Sequence, residues 1–158
     1  MDTKAMLPLL LPRAIEWCSA VARKAASSGV PLTQTAFEDA RTVGVRYPEK
    51  IRVLIVDHFP LPSDVLLRSA AASLGFLGSN TAGLTLGYSI LVRRGRLSRR
   101  LLSHELRHVA QCEDAGSLSA FLTAYLEALV TSGYENSSFE RDARDHELPN
   151  ADLHWRPI

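Results

Sequence analysis

The segment His104-Glu105-Leu106-Arg107-His108 constrains this chain more than any other stretch. On a helix, residues four apart project from one face about one turn apart, so His104 and His108 present two imidazoles side by side. Leu101, Leu102 and Val109 give the same stretch an apolar side. The spacing predicts an amphipathic helix over 97–113, with Ser98 as N-cap and Gly116 beyond its end. Any fold must bury one side of that helix and leave the imidazole pair at a cleft. Two imidazoles so placed can share a tetrahedral zinc ion, Zn2+, while Glu105 reaches a water on the metal rather than the metal itself. Zinc makes such a water acidic near neutral pH, and Glu105 is then the expected general base.

Around this helix, apolar periodicity predicts helices over 12–28 (Ile15, Cys18, Val21, Ala22, Ala25, with Gly29 as C-cap) and over 34–43, closed by Gly44. Residues 51–56, β-branched and bounded by Pro48 and Pro60, read as a strand. A helix over 64–73 has Ser63 as candidate N-cap and Gly75 at its end. Alternation from Leu84 to Val92 reads as one period-two strand, turned at Arg94-Gly95. The stripe of Leu118, Phe121, Leu122, Tyr125, Leu126, Leu129 and Val130 reads as core, and a last helix spans 138–147. Helices outnumber strands without regular alternation, which predicts an α+β fold, mostly helical with a small sheet. At 158 residues this is one domain: a helical extension over 1–46, a core over 47–148 and a tail over 149–158.

With 46% hydrophobic and 22% charged residues, the composition is that of a globular protein. A formal net charge of +1 gives no pull toward nucleic acid or acidic membranes, and neither is expected as a partner. The arginines from Arg93 to Arg100 lack interleaved aromatics and read as solvated. Two cysteines without CxxC spacing suit a reducing compartment, so a cytoplasmic location is expected. The apolar run over 6–11 is bracketed by Pro8 and Pro12 and followed by Arg13 and Glu16. It reads as mature sequence, and no apolar run approaches the roughly 20 residues that span a bilayer. Oligomeric state leaves no signal.

A catalytic zinc needs a third protein ligand and an open position. Asp114 has the spacing of the HExxHxxGxxD type, but Gln111 stands where that type needs a chain-turning glycine. Glu140 follows the apolar stripe and can return toward the motif helix. Equally, Ser137-Ser138-Phe139-Glu140 matches a capping box, in which Glu140 only caps backbone amides. Asp142, Asp145 and His146 are fallback ligands. Cys112 shares the face of His108 and reads as a thiolate ligand or a small core residue. His58, His146 and His154 read as structural or solvated.

The segment His104-Glu105-Leu106-Arg107-His108-Val109-Ala110-Gln111, with Phe139-Glu140-Arg141-Asp142-Ala143 downstream, resembles the gluzincin branch of the zincin-like metallopeptidases. It is most similar to small bacterial members with a HELxHVxQ helix and a later ExxA glutamate. Residues 81–88 resemble the glycine-containing edge strand that leads into the motif helix there, and the likeness spans 50–146. The resemblance implies His104, His108 and Glu140 as zinc ligands, Glu105 as catalytic base, and a peptide or protein substrate. It also implies a substrate-pairing edge strand at Leu86, Gly87 and Tyr88 beside the motif helix. Where the family pattern has an aspartate four residues after the glutamate, this chain has Arg144, with Asp145 as the candidate substitute for orienting a ligand imidazole. Tyr134 reads as a partly buried loop tyrosine or as a donor to a transition-state oxyanion. The alternative function is a zincin-like scaffold that binds metal or a partner without hydrolysis. The 1–46 segment either packs on the core or occludes the cleft.

Overall fold

The computed structural model describes residues 2–158, and the fold is α+β with a three-stranded mixed sheet. In chain order the elements are α1 (Thr3–Ser28), α2 (Gln34–Thr42), a 3-10 turn (Pro48–Lys50), β1 (Arg52–Val56), α3 (Val65–Ser73), β2 (Gly83–Leu86), β3 (Ser89–Arg93), α4 (Arg99–Ala115), α5 (Leu118–Ser132) and α6 (Ser138–Asp145). The strand order is β1-β3-β2, with β1 parallel and β2 antiparallel to the central β3.

The single strand expected over 84–92 is a hairpin. Leu86 pairs with Ser89 across a two-residue turn, and Gly87 adopts φ +67, the left-handed first position that tight hairpins reserve for glycine. Periodicity hid the turn because β3 is covered on both faces, with Ser89, Ile90, Leu91 and Val92 all buried. No polar face remained to reveal the change of direction. Leu84, Leu86 and Leu91 pack toward α1 and α5, whereas Ile90 and Val92 join Val53, Leu102, Leu106 and Val109 in the main core.

Helix α1 begins nine residues before the expected start. Asp2 caps it by accepting from the Ala5 amide at 3.1 Å. Pro8 and Pro12 each remove one helical hydrogen bond. Their rings are exposed, while Leu10, Ala14, Cys18 and Ala25 anchor the opposite side. Over its most apolar 18 residues the mean hydropathy is 1.3, so α1 is long and apolar enough to cross a membrane by length and composition. The sequence reading missed this by breaking the run at the prolines. In this fold α1 packs on α3, α5 and the sheet.

The remaining helices begin and end on local chemistry. Ser98 caps α4 by accepting from the Leu101 amide at 3.1 Å, and Gly116 closes the helix at φ +90. For α3 the cap is Asp64 rather than Ser63, accepting from the amides of Leu66 and Leu67. The C-terminal tail returns to the start of α2, where the Thr33 amide donates to the Pro157 carbonyl at 2.9 Å, and Trp155 packs on the main core. Arg94 pairs with Asp57, Arg99 with Asp39 and Arg100 with Glu147, so much of the arginine cluster is neutralised by neighbours.

Candidate metal centre

Helix α4 supplies His104 and His108 from one face, and α6 lies against it with Glu140. Three contacts hold that docking. Arg107 donates to both oxygens of Asp142, at 2.7 and 3.2 Å. Gln111 donates to Asp142 at 2.7 Å and to the Phe139 carbonyl at 3.0 Å. Glu140 then sits with its carboxylate 3.2 Å from His104 Nε2 and 3.3 Å from His108 Nε2, while the two Nε2 atoms are 3.2 Å apart. His104, His108 and Glu140 form a buried group that could hold a metal ion.

The outer partners decide which ring nitrogens face inward as lone pairs. His104 Nδ1 lies 3.0 Å from Glu147, and a carboxylate can only accept. His108 Nδ1 lies 2.7 Å from Gln111 Oε1, whose amide orientation is set because its nitrogen already faces two acceptors. With both Nδ1 atoms donating, each ring in its neutral form turns an Nε2 lone pair toward the other and toward Glu140, and without a metal a proton takes the metal's place there. Such a cluster of acceptors could hold a cation between them. The same crowding appears in the acid–base behaviour. Burial works against a charge on His104, but the Glu140 hydrogen bond and the nearby carboxylates win, raising it to about 9. Burial likewise opposes the Glu140 anion, yet hydrogen bonds from His104, His108 and Tyr125 hold it well below the usual carboxylate range.

Glu140 does not act as a capping-box residue. Tyr125 donates to its Oε1 at 2.5 Å, and the other oxygen faces His104. Ser137 makes no side-chain cap bond, and its amide donates instead to the Gly133 carbonyl. Glu105, 5% exposed, stands beside the three ligand-bearing residues but outside their cluster. Thr85 of β2 donates to its Oε2 at 2.6 Å, and Gly83 packs against its other oxygen.

Other sequence candidates fall elsewhere. Asp114 is exposed and pairs with Arg46 at 2.7 Å. Asp145 is exposed, and the imidazole-orienting role expected of it falls to Glu147, just past the end of α6. Asp142 holds Arg107 and Gln111, and His146 Nδ1 faces the Asp142 carbonyl at 2.7 Å. Cys112 packs with Phe121, Tyr125 and Leu129, and burial pushes its thiol up to about 11. His58 and His154 are exposed. Of the expected substrate strand, Leu86 is buried and Gly87 and Tyr88 form the hairpin turn, with the Tyr88 hydroxyl donating to Glu113 at 3.0 Å. The β2 residues that line the cleft beside Glu105 begin instead at Gly83. Tyr134 lines the same cleft, half-exposed and edge-on to Phe76, its phenol raised by burial and by Glu140.

Sequence reasoning missed Tyr125, Thr85 and Glu147, and it named Gln111 in the motif without its place beside His108 Nδ1. Tyr125 was absorbed into the apolar stripe of α5, and only its hydroxyl marked it as more than core. Thr85 and Glu147 carried no local signal, because their partners lie 20 and 43 residues away. Comparison with protein-family models, with curated proteins and with solved structures finds no match for this chain.

Proposed function

We propose that this chain is a zinc-dependent peptidase of the zincin-like type, hydrolysing amide bonds at the centre formed by His104, His108 and Glu140. The observation that carries the reading is the mutual spacing of the three ligand groups, 3.2 to 3.3 Å. A zinc ion with bonds of about 2.0–2.1 Å in tetrahedral geometry sets neighbouring ligand atoms about 3.3–3.4 Å apart. Two neutral imidazoles and one carboxylate are also the donor set of a catalytic zinc site with a position left for water. When bound, zinc would polarise the scissile carbonyl and lower the pKa of water.

The chain's own groups do the rest. Glu105 takes a proton from the attacking water and returns it to the leaving amine. Thr85 fixes one oxygen of that carboxylate by donating to Oε2, so the other is the one free to receive the proton. Tyr125 and Glu147 hold Glu140 and His104 in place. The outer edge of β2 has no strand partner among the described residues and offers main-chain groups to an extended substrate. The test is metal content with peptide hydrolysis, in the wild type and in Glu105→Gln. Stoichiometric zinc and hydrolysis abolished by the substitution support the proposal. Protein purified without chelator that carries no metal, or hydrolysis that survives Glu105→Gln, sinks it. Full zinc without turnover would assign the chain to metal or partner binding.

A further inference from the structure

The cleft beside the metal centre opens into a cavity of about 660 Å³. At one side lie His104, Glu105, His108 and Glu140. Leu7, Leu10 and Ala14 of α1, with Leu67 and Ala70 of α3, build another wall. Among the described residues neither helix contributes a charged side chain to it; the charged lining outside the centre comes from Glu135, Arg144 and Glu147, on α6 and its flanks. A water-sized group occupies about 30 Å³, so this volume exceeds any single amino-acid side chain. It has room for a chain of about 12–14 carbons together with the reacting group.

The distribution of polar groups narrows what can enter. An extended peptide running along α1 and α3 would bury most of its amide groups against side chains that, Thr3 and Trp17 apart, are aliphatic and cannot pair them. A hydrocarbon chain has no such groups to desolvate, and each methylene gains by leaving water. Peptide-like groups on the other side of the scissile bond meet polar partners at the free edge of β2. We propose that the substrate is an amide whose acyl side is a long aliphatic chain, an N-fatty-acyl amino acid or peptide. Its hydrocarbon lies against α1 and α3, and its amide at His104, Glu105 and His108. This rests on the hydrolytic reading of the metal centre. The amide C–N bond breaks, the water oxygen forms the new C–O bond, and the amine departs with the proton carried by Glu105. The fatty acid is the second product.

The test uses the zinc-loaded full chain and one peptide N-acylated with chains of 2, 6, 10 and 14 carbons. The expected kcat/KM rises up to about fourfold per methylene, the about 0.8 kcal/mol of burying one CH2, and levels off once the cavity is full. Tetradecanoate binding to the metal-free protein, by calorimetry, is a readout independent of turnover and is expected at micromolar concentration. Ala70→Phe, or Ala14→Phe from the facing helix should the first fail to fold, is expected to move the optimum to shorter chains. Equal cleavage of all four substrates with no tetradecanoate binding overturns the acyl proposal and leaves the peptidase reading standing. Tetradecanoate binding with no cleavage of any substrate overturns the hydrolytic reading, and the acyl amide as substrate with it.

Discussion

A Cβ placed on Gly83 would lie 2.5 Å from Glu105 Oε1 and 2.7 Å from its Cδ, so the backbone of β2 closes directly on the carboxylate of α4. Gly83 is outside the left-handed region, and alanine fits its backbone. The three nearest atoms all belong to the flexible Glu105 side chain, which must shift to make room. Gly83→Ala is therefore expected to leave the melting temperature and zinc content close to wild type while kcat/KM falls about 10- to 100-fold, the cost of a small misplacement of a reacting group. Thermal unfolding, metal analysis and peptide kinetics on the same preparation check this. A loss of zinc in parallel with activity would contradict it.

Tyr125 lies outside the proposed ligand set yet donates to Glu140 Oε1 at 2.5 Å in a buried setting. Tyr125→Phe keeps the ring contacts with Phe121 and Phe139 and deletes only that hydrogen bond. Outer partners of metal ligands are worth about 10–100-fold in affinity. Zinc affinity from a chelator competition is expected to weaken by that factor, with little change in the fold by circular dichroism. Affinity equal to wild type would show that Tyr125 is only core.

Metal removal has its own signature in stability. A ligand that binds only the folded state at 100 times its Kd adds about 2.7 kcal/mol. For a chain of this length each kcal/mol moves Tm by about 2–4 °C. Adding zinc to chelator-treated protein is expected to raise Tm by about 5–10 °C, and His104→Ala to abolish the rise. Scanning calorimetry with and without zinc reads this, and an identical rise in His104→Ala would place the metal elsewhere.

Burial pushes the Cys18 thiol up to about 12 and the Cys112 thiol up to about 11. A raised pKa leaves less thiolate at any pH below it, and the thiolate is the reacting form. Neither cysteine is expected to react with an aromatic disulfide reagent in the native protein at pH 7.5, and both are expected to react in denaturant. One equivalent released rapidly from the native protein would contradict the burial of these side chains.

Leu106, inside the motif, is fully buried in the main core with Val53, Ile90 and Val109. Leu106→Ala is expected to destabilise the fold by about 2–5 kcal/mol, through lost burial and the cavity it leaves. Denaturant unfolding measures this. A change below about 1 kcal/mol would mean that α4 is not anchored on the sheet by this side chain.

What the sequence determined by itself was the local part of the problem. Helix α4, its Ser98 cap and its Gly116 stop follow from signals within a turn of each other, and the His104–His108 pair follows from helical periodicity. The helices α2, α3 and α6 were legible for the same reason, to within a residue or two. Local signals failed where packing overrode them. Burial of both faces of β3 concealed the hairpin at Gly87, and anchoring by Leu10 and Ala14 carried α1 through two prolines that locally oppose a helix.

Only the tertiary structure decided where the Glu140 side chain goes. Its neighbours in sequence spell a capping box, and its neighbours in space are His104, His108 and Tyr125. The same holds for Thr85 and Gly83 on Glu105, and for Glu147 in place of Asp145. A hydrogen bond between residues 15 to 43 positions apart leaves no period or spacing in the chain. It exists because the docking of α6 and β2 against α4 brings donor and acceptor within 3 Å or so, and that docking is a property of the packed core.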